Sequence, residues 1–539
     1  MGSDPAPVEP GSPRRLVLGG AILVVALGPG FALQDRLPHT PAVARAAAIG
    51  RPNIVLIQSD DQTYRQLTRR AMPNTKRLLA QHGTTFTDYI ASTAQCCPSR
   101  ASLLTGQYAH NHGVTSNNVG YPGLVDKDNV LPVWLQRAGY STIHVGKFLN
   151  GYEKSVAPDS VVAPGWDQWH SVLGNTHYYG YDLFVNGGVR HHGRRRGDHI
   201  THVLNRDAVR LVERYAPKGH PFYLQLDQRA PHVGQQHDPY GRCGRAPIPE
   251  PTDRKLFGNA GLPRPPSFNE EEMSDKPSFL SAAPKIGSVE RGQIRKRWRC
   301  ALASLRGVDR GVGKIYDAVK DAGELKKTVF IFISDNGQFH GQHRLQKGKV
   351  LPYEEALRLP LLIRAPKRYR AGASRVRKVG RPVGNIDLAP TILDFADAQP
   401  CAGAGGCRTM DGRSLMPLLL RRSRGWPHGR GLLTEYRVGD AGRYATCEFA
   451  GIRTRDDLYV RHSRVVDPST GQCIPADERE RYNLNKDPFE LHNLCFGGNS
   501  GNCPLNDKQL DLEIRLSQLR DCAGIAGRDH HVGGHPFCE

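Results

Sequence analysis

The chain has 539 residues, 39% of them hydrophobic, which is long enough for one large domain plus a smaller one and too apolar for a disordered polymer. Its 58 glycines and 39 prolines mark many loops without the strict period of a fibrous chain. A formal net charge of +21 excludes indifference to polyanions; nucleic acid, anionic lipid and sulfated polysaccharide all satisfy it, and charge alone does not choose among them.

At the N-terminus, Arg14-Arg15 precede an apolar run over 16–33, LVLGGAILVVALGPGFAL. Positive charge followed by a short apolar stretch predicts an export signal within 1–46, and Ala44-Arg45-Ala46 suits a signal peptidase. The arginine pair resembles a twin-arginine signal, so a secreted or extracytoplasmic protein without stable membrane association is expected. The alternative is a retained single anchor, for which an 18-residue run with glycines and a proline is marginal.

Beyond it, apolar β-branched runs at 52–61 (PNIVLIQSDD), 141–148 (STIHVGKF), 221–232 (PFYLQLDQRAPH), 328–337 (TVFIFISDNG) and 359–366 (LPLLIRAP) predict buried strands. Helical patterns intervene around 68–82 and 300–323. This alternation predicts an α/β fold, a mostly parallel sheet with helices on both faces and a ligand crevice beyond the strand C-termini. The segments 186–199 and 233–280 read as loops or insertions. After about residue 425 the texture changes: a strand at 457–463 and a helix at 507–520 predict a small C-terminal α+β domain. The expected division is therefore 1–46, 47–425 and 426–539.

Of the twelve cysteines, Cys96 and Cys97 are adjacent, and eight of the other ten lie after residue 400. An even set with close spacings such as Cys401/Cys407 and Cys495/Cys503 predicts about five disulfides in an oxidising compartment. Without CxxC spacing a zinc ribbon is a poor alternative.

Asp60-Asp61 and Asp335-Asn336 end two predicted strands, supplying three carboxylates and an amide. Singly, such residues often just cap the next helix; together they suit a hard divalent cation, calcium or magnesium. Arg100, Lys147, His232 and Lys349 also fall at strand-end turns or a helix start. Each alone reads as a solvated surface cation. Cations and metal ligands at one sheet edge are the layout for a phosphate or sulfate ester. The adjacent thiols stand where a helix N-terminus favours an anion, but a hard metal beside them prefers oxygen to sulfur.

The run CCPSRASLLTG, 96–106, resembles the sulfatase signature, Cys-x-Pro-Ser-Arg followed by a Leu/Thr-x-Gly pattern. PNIVLIQSDDQ, GYSTIHVGKFLNGY, APH at 230–232, SDNGQFHGQHRLQKGKVLPYEEALRLPLLIRAP, NIDLAPTILDFA, DGRSLMPLL and RYNLNKDPFELHNL resemble further blocks of that family, in order across 51–497. The resemblance implies an alkaline-phosphatase-like fold and a sulfuric ester hydrolase. It also implies oxidation of Cys96 to Cα-formylglycine by a formylglycine-generating enzyme. One calcium ion is implied on Asp60, Asp61, Asp335, Asn336 and the modified Cys96, with Arg100, Lys147, His232 and Lys349 as catalytic groups. Cys97 takes the variable position. HNHGV, GKFLNGYE and GWDQWHSVLGNTHYYGYDLFVNG look most like the N-acetylglucosamine-6-sulfatase and extracellular heparan-sulfatase branch, so the expected substrate is a sulfated saccharide or a small aryl sulfate. One departure stands out: Leu149 replaces a histidine that many arylsulfatases carry two residues after the lysine, and Asn150 is the candidate to fill its space.

Two rivals remain. One is a phosphatase or phosphonate hydrolase of the same superfamily. The other is a non-enzymatic polyanion binder, suggested by HHGRRRGDH (191–199) and RGQIRKRWRC (291–300). No nucleic-acid-binding motif accompanies those runs, and in a sulfatase they would steer a sulfated polymer toward the cleft.

Overall fold

The structure, a computed structural model, describes residues 50–155, 162–174, 177–370, 377–403, 406–421, 426–438, 446–467, 469–495, 503 and 506–539. The expected export signal lies outside the described residues, and among these no helix is long and apolar enough to cross a membrane.

An eleven-stranded mixed sheet forms the frame. Its strands are β1 (Asn53–Ser59), β2 (Thr84–Ile90), β3 (Ser141–Gly146), β4 (Gln168–Val172), β5 (Tyr181–Val185), β6 (Gly188–His192), β7 (Phe222–Asp227), β8 (Thr328–Ser334), β9 (Arg358–Arg364), β10 (Arg377–Val379) and β11 (Val383–Gly384). The spatial order is β10-β2-β9-β8-β1-β7-β3-β4-β5-β6, with β11 beside β2. The centre, β8-β1-β7-β3-β4, is parallel. The fifth predicted strand, β9, instead runs antiparallel to both β8 and β2. Two antiparallel steps restore direction, so β2 points the same way as β1 and β8.

Strand β1 shows why this sheet is buried on both faces. Ile54 and Leu56 enter one apolar core, Val55 and Ile57 the other. That is the period of two that puts successive side chains on opposite faces. The first core is closed by α1 (Cys96–Thr105), α2 (Leu131–Arg137) and α5 (Leu388–Ala396); the second by α3 (Ile200–Tyr215) and α4 (Ser288–Asp321). Each such aliphatic side chain contributes about 1.5–3 kcal/mol on burial.

A second, antiparallel sheet comprises β12 (Leu432–Arg437), β13 (Thr446–Arg453), β14 (Asp457–Val466) and β15 (Cys473–Asn483), followed by α6 (Asp507–Leu519). Its apolar face shares a third core with Ile90, which ends β2, and with Ala94 and Tyr108 beyond it. All ten expected cysteines pair, as Cys243–Cys300, Cys401–Cys407, Cys447–Cys473, Cys495–Cys503 and Cys522–Cys538.

Three local expectations change. The first half of the loop 186–199 is the turn and second strand of a β5–β6 hairpin; β6 is exposed along most of its length, so no apolar alternation announced it. The helix at 68–82 shrinks to a π-turn at Thr75–Leu79 and a 3-10 turn at Ala80–His82. There Asp309 accepts the Asn74 and Thr75 backbone N–H groups, satisfying the start of the segment from outside it. Helix α4 begins twelve residues before the predicted 300, so RGQIRKRWRC forms its first turns. The segment 233–280 is irregular apart from a short helix at Ser278–Ser281.

Candidate active site

The parallel strands end level with one another: Gln58 and Gly146 both pair with Asp227, and Ser59 with Ser334. The residues just past each strand therefore arrive at one edge. Asp60-Asp61 succeed β1, Lys147 succeeds β3, the 228–232 turn succeeds β7, and Asp335-Asn336 succeed β8. Beyond β2, helix α1 starts at Cys96 with all ten of its residues buried. Gly146 makes the crowding possible. Its φ of +119° is outside the comfortable range of L side chains, and a Cβ there would sit 2.0 Å from the Asp227 carbonyl oxygen. The Lys147 N–H donates to that same carbonyl at 3.0 Å, which fixes where the lysine leaves the strand.

Four residues separate Cys96 from Arg100, one helical turn, so both face the carboxylates. Arg100 is clamped through Nε and Nη1, while its buried Nη2 has ion-pair contacts but no hydrogen-bond partner among the described residues. Its Nε donates to Asp335 Oδ2 at 3.0 Å and its Nη1 to the Lys147 carbonyl at 2.9 Å. Nη2 lies 2.8 Å from Asp335 Oδ2, and Nη1 lies 3.3 Å from Asp227 Oδ1. Lys349 Nζ donates to Cys96 Sγ at 2.9 Å and pairs with Asp61, while Lys147 pairs with Asp60. Asn336 Nδ2 donates to Asp61 Oδ1 at 2.6 Å, and Asp335 Oδ1 accepts from the backbone of Asp61 and Asn336. His232 Nε2 stands 3.7 Å from Asp61 Oδ2. All nine residues singled out in the sequence thus meet in one cluster.

Its electrostatics follow from burial against mutual pairing. Burial raises the Asp60 carboxyl, but Lys147, His232, Lys349 and Arg100 outweigh it and hold Asp60 well below the usual carboxylate range. Burial and Asp60 push Asp335 upward against Arg100. Burial would lower Lys349, yet Asp61, Cys96 and Asp60 hold its ammonium well above the ordinary lysine range. Burial, helped by Arg229 and both lysines, drives His232 well below the usual histidine range. The Cys96 thiol is pushed up to about 12 by burial and Asp60, so the unmodified side chain is a thiol and not a ready thiolate.

Asp60, Asp61, Cys96 and His232 offer ligand atoms within 4.8 Å of one another. The oxygens of Asp60, Asp61, Asp335 and Asn336 fit a hard divalent cation. The sulfur of Cys96 does not, whereas an oxygen in its place does.

Two buried residues here were not singled out from sequence. Asp227 binds Arg100 and accepts from His144 Nε2 at 3.1 Å. Arg229 donates to the Val233 carbonyl at 2.7 Å, and its Nη2 lies 3.0 Å from His232 Nδ1. The available signal was position: Asp227 ends its strand as Ser59 and Ser334 do. Leu149 packs in the core, and the Asn150 amide donates to the Asn117 carbonyl at 3.3 Å. Cys97 accepts the Asn150 backbone N–H at 3.3 Å and is otherwise a packing residue.

A family model described as Sulfatase matches residues 52–398, and one described as N-sulphoglucosamine sulphohydrolase, C-terminal, matches 341–520. Human N-acetylglucosamine-6-sulfatase is 33% identical over 96% of this chain and 92% of its own. The extracellular sulfatase SULF-1 homolog of Drosophila melanogaster is 31% identical over 85% of this chain. The chain spans only 40% of that relative and 50% of the Caenorhabditis elegans counterpart. Among solved structures, a protein in complex with its substrate D-glucosamine-2-N,6-O-disulfate superposes with TM-score 0.68 at 23% identity, covering 87% of this chain and 97% of that one. The phosphonate monoester hydrolase of Agrobacterium radiobacter gives 0.59 at 21%, covering 83% and 92%. At those identities the likeness is one of fold.

Proposed function

The chain belongs to the sulfatase family, and from that premise we propose that it hydrolyses sulfate esters of a sulfated sugar at the cluster around Cys96. The observation that carries the reading is the convergence of Asp60, Asp61, Asp335 and Asn336 on the Cys96 side chain at the start of α1.

In this reading Asp60, Asp61, Asp335, Asn336 and residue 96 would hold one calcium ion, which would supply positive charge to the site. Cys96 is converted to Cα-formylglycine, whose hydrate supplies an oxygen nucleophile on a carbon able to expel sulfate by returning to the aldehyde. Arg100 is a positioning residue: its donors hold Asp335, Asp227 and the Lys147 carbonyl in place. Lys147 and Lys349 present ammonium groups to the sulfate oxygens as charge redistributes toward the leaving oxygen. The departing sugar alcohol takes its proton from Lys349, held as an ammonium, or from His232 once the substrate's negative charge offsets the burial that keeps the ring neutral. The Arg229 guanidinium and the Val233 carbonyl flank His232 Nδ1, which engages one or the other according to its tautomer, and Nε2 faces the cluster.

The five disulfides support an oxidising, extracytoplasmic site of action, with Cys96 converted by a formylglycine-generating enzyme. The N-acetylglucosamine-6-sulfatase relatives support a glucosamine 6-sulfate unit as the substrate. The test is a peptide mass spectrum across Leu78–Arg100 of protein from its own host, with turnover of nitrophenyl sulfate, nitrophenyl phosphate and N-acetylglucosamine 6-sulfate. An aldehyde at residue 96 with sulfate turnover well above phosphate turnover is expected. Two intact thiols in active protein overturn the nucleophile, and dominant phosphate turnover transfers the reading to the phosphohydrolase branch.

A further inference from the structure

The two basic runs that the catalytic cluster leaves unused lie about a hundred residues apart, yet they meet on one surface. Arg295, Lys296 and Arg299, on the first turns of α4, line a cavity of about 310 Å³ together with Arg242, Arg254 and Leu256. A second cavity of about 660 Å³ shares Arg242, Leu256 and Gly258 with it and adds Arg70 and Lys255. The two form one continuous groove, and no lining residue of either carries a carboxylate.

The groove is built rather than incidental. The Cys243–Cys300 disulfide ties its loop wall to its helix wall. Arg299 Nε donates to the Ala260 carbonyl at 2.8 Å and Arg242 Nη1 to the Arg254 carbonyl at 3.3 Å, which orients both guanidiniums without neutralising them. Arg70 stacks 5.2 Å from the Phe257 ring centroid. Arg254 pairs with Asp238 at 2.8 Å. For the other six cations no carboxylate among the described residues lies within 4.0 Å. The second basic run joins through Tyr240, whose hydroxyl donates to the Arg194 carbonyl at 2.8 Å. Its ring lies 4.3 Å from Arg254 and 6.0 Å from Arg196. All of this hangs on the segment that leaves the cluster at His232 and reaches Arg242 ten residues later.

Like charges are held together here at a cost that an anionic ligand removes. Arginine forks match the oxygens of sulfate groups, which stay ionised at every physiological pH. A volume of several hundred Å³ suits more than one sugar ring. We propose that this groove is a second binding site for a sulfated polysaccharide, holding a stretch of the chain away from the ester being cleaved. The inference rests on the sulfatase reading and adds that the enzyme recognises a polysulfated chain, not a lone sugar.

The test is the exposed triple variant R242Q/R295Q/K296Q in the full-length protein. Binding of a fluorescent heparin-derived octasaccharide is measured in the Cys96→Ala background, where no turnover intervenes. Three exposed ion pairs of about two- to threefold each predict a loss of about tenfold in affinity at low salt, shrinking as salt screens the groove. In the Cys96-containing enzyme, kcat/KM for nitrophenyl sulfate stays within twofold, which also shows that the triple variant folds. The single variant R295Q is expected to fall two- to threefold. Unchanged octasaccharide binding overturns the proposal. So does equal affinity for a single-stranded DNA of matched charge, since the groove would then be an unselective polyanion patch. Absence of sulfate turnover in the parent enzyme would fell the sulfatase reading and with it the substrate role, while the binding titration would still report on the groove.

Discussion

Replacing Arg100 with methionine removes the cation that bridges Asp335 and Asp227, both buried. Asp335 loses two contacts, at 3.0 and 2.8 Å from Nε and Nη2, and Asp227 loses one at 3.3 Å. Arg100, Asp227 and Asp335 are each at most 3% exposed, so water cannot take the place of the guanidinium. Breaking a buried pair from one side costs about 3–5 kcal/mol, because the uncompensated charge stays behind. Part of that cost belongs to Asp227, which among the described residues keeps His144 and Gln225 as side-chain partners. Neutralising it as well, in R100M/D227N, is expected to recover about 1.5–3 kcal/mol, the worth of a hydrogen bond to a charged group. The assay is urea unfolding by tryptophan fluorescence of R100M, D227N and the double variant, with and without calcium. Calcium is expected to shrink the R100M deficit, since it offers Asp335 another partner. A single-variant cost below about 1 kcal/mol, or no coupling between the two positions, refutes the assignment of Arg100 as the clamp of this cluster.

Loss of the leaving-group acid is expected to slow sugar sulfates by 10²–10⁴-fold and nitrophenyl sulfate far less, because nitrophenolate needs no proton. Comparing H232A and K349A across a leaving-group series identifies which residue donates; a flat dependence in both removes each from that role. His110 gives a pH-dependent tie between the segment after α1 and the C-terminal segment: burial would lower it, but Glu435 and the Cys522 carbonyl raise it to about 9. A raised histidine stabilises fully below its unfolded value near 6.5 and loses that contribution as pH climbs through about 9. The stability gap between wild type and Glu435→Gln is therefore expected to be about 3 kcal/mol at pH 6 and near zero at pH 10, and a gap independent of pH contradicts the pairing. Opening the Cys243–Cys300 link, which spans 57 residues, in C243S/C300S is expected to cost about 4 kcal/mol by loop entropy and to weaken octasaccharide binding; the melt and the titration check both.

Much of the site was legible because strand periodicity is local. Unbroken apolar, β-branched runs identify β1, β3, β7 and β8, and the polar residue that ends each run must emerge at a strand terminus. Hence Asp60, Asp61, Lys147, His232, Asp335 and Asn336 were visible one by one, and the cysteine count announced a disulfide framework without its pairing. Only the tertiary structure decided what needs distant segments in register. Pairing of Gln58 and Gly146 with Asp227 turns an unremarked strand-end aspartate into a partner of Arg100. The two reversals at β9 return Cys96 to the same edge as the acids. Strand β6 of the β5–β6 hairpin had no buried face to pattern its residues, so it read as loop. The basic runs likewise looked like separate solvated stretches, because what unites them is a disulfide and the Tyr240 ring. Periodicity says which side of an element meets the core; sheet order, register and cross-links say which side chains meet one another.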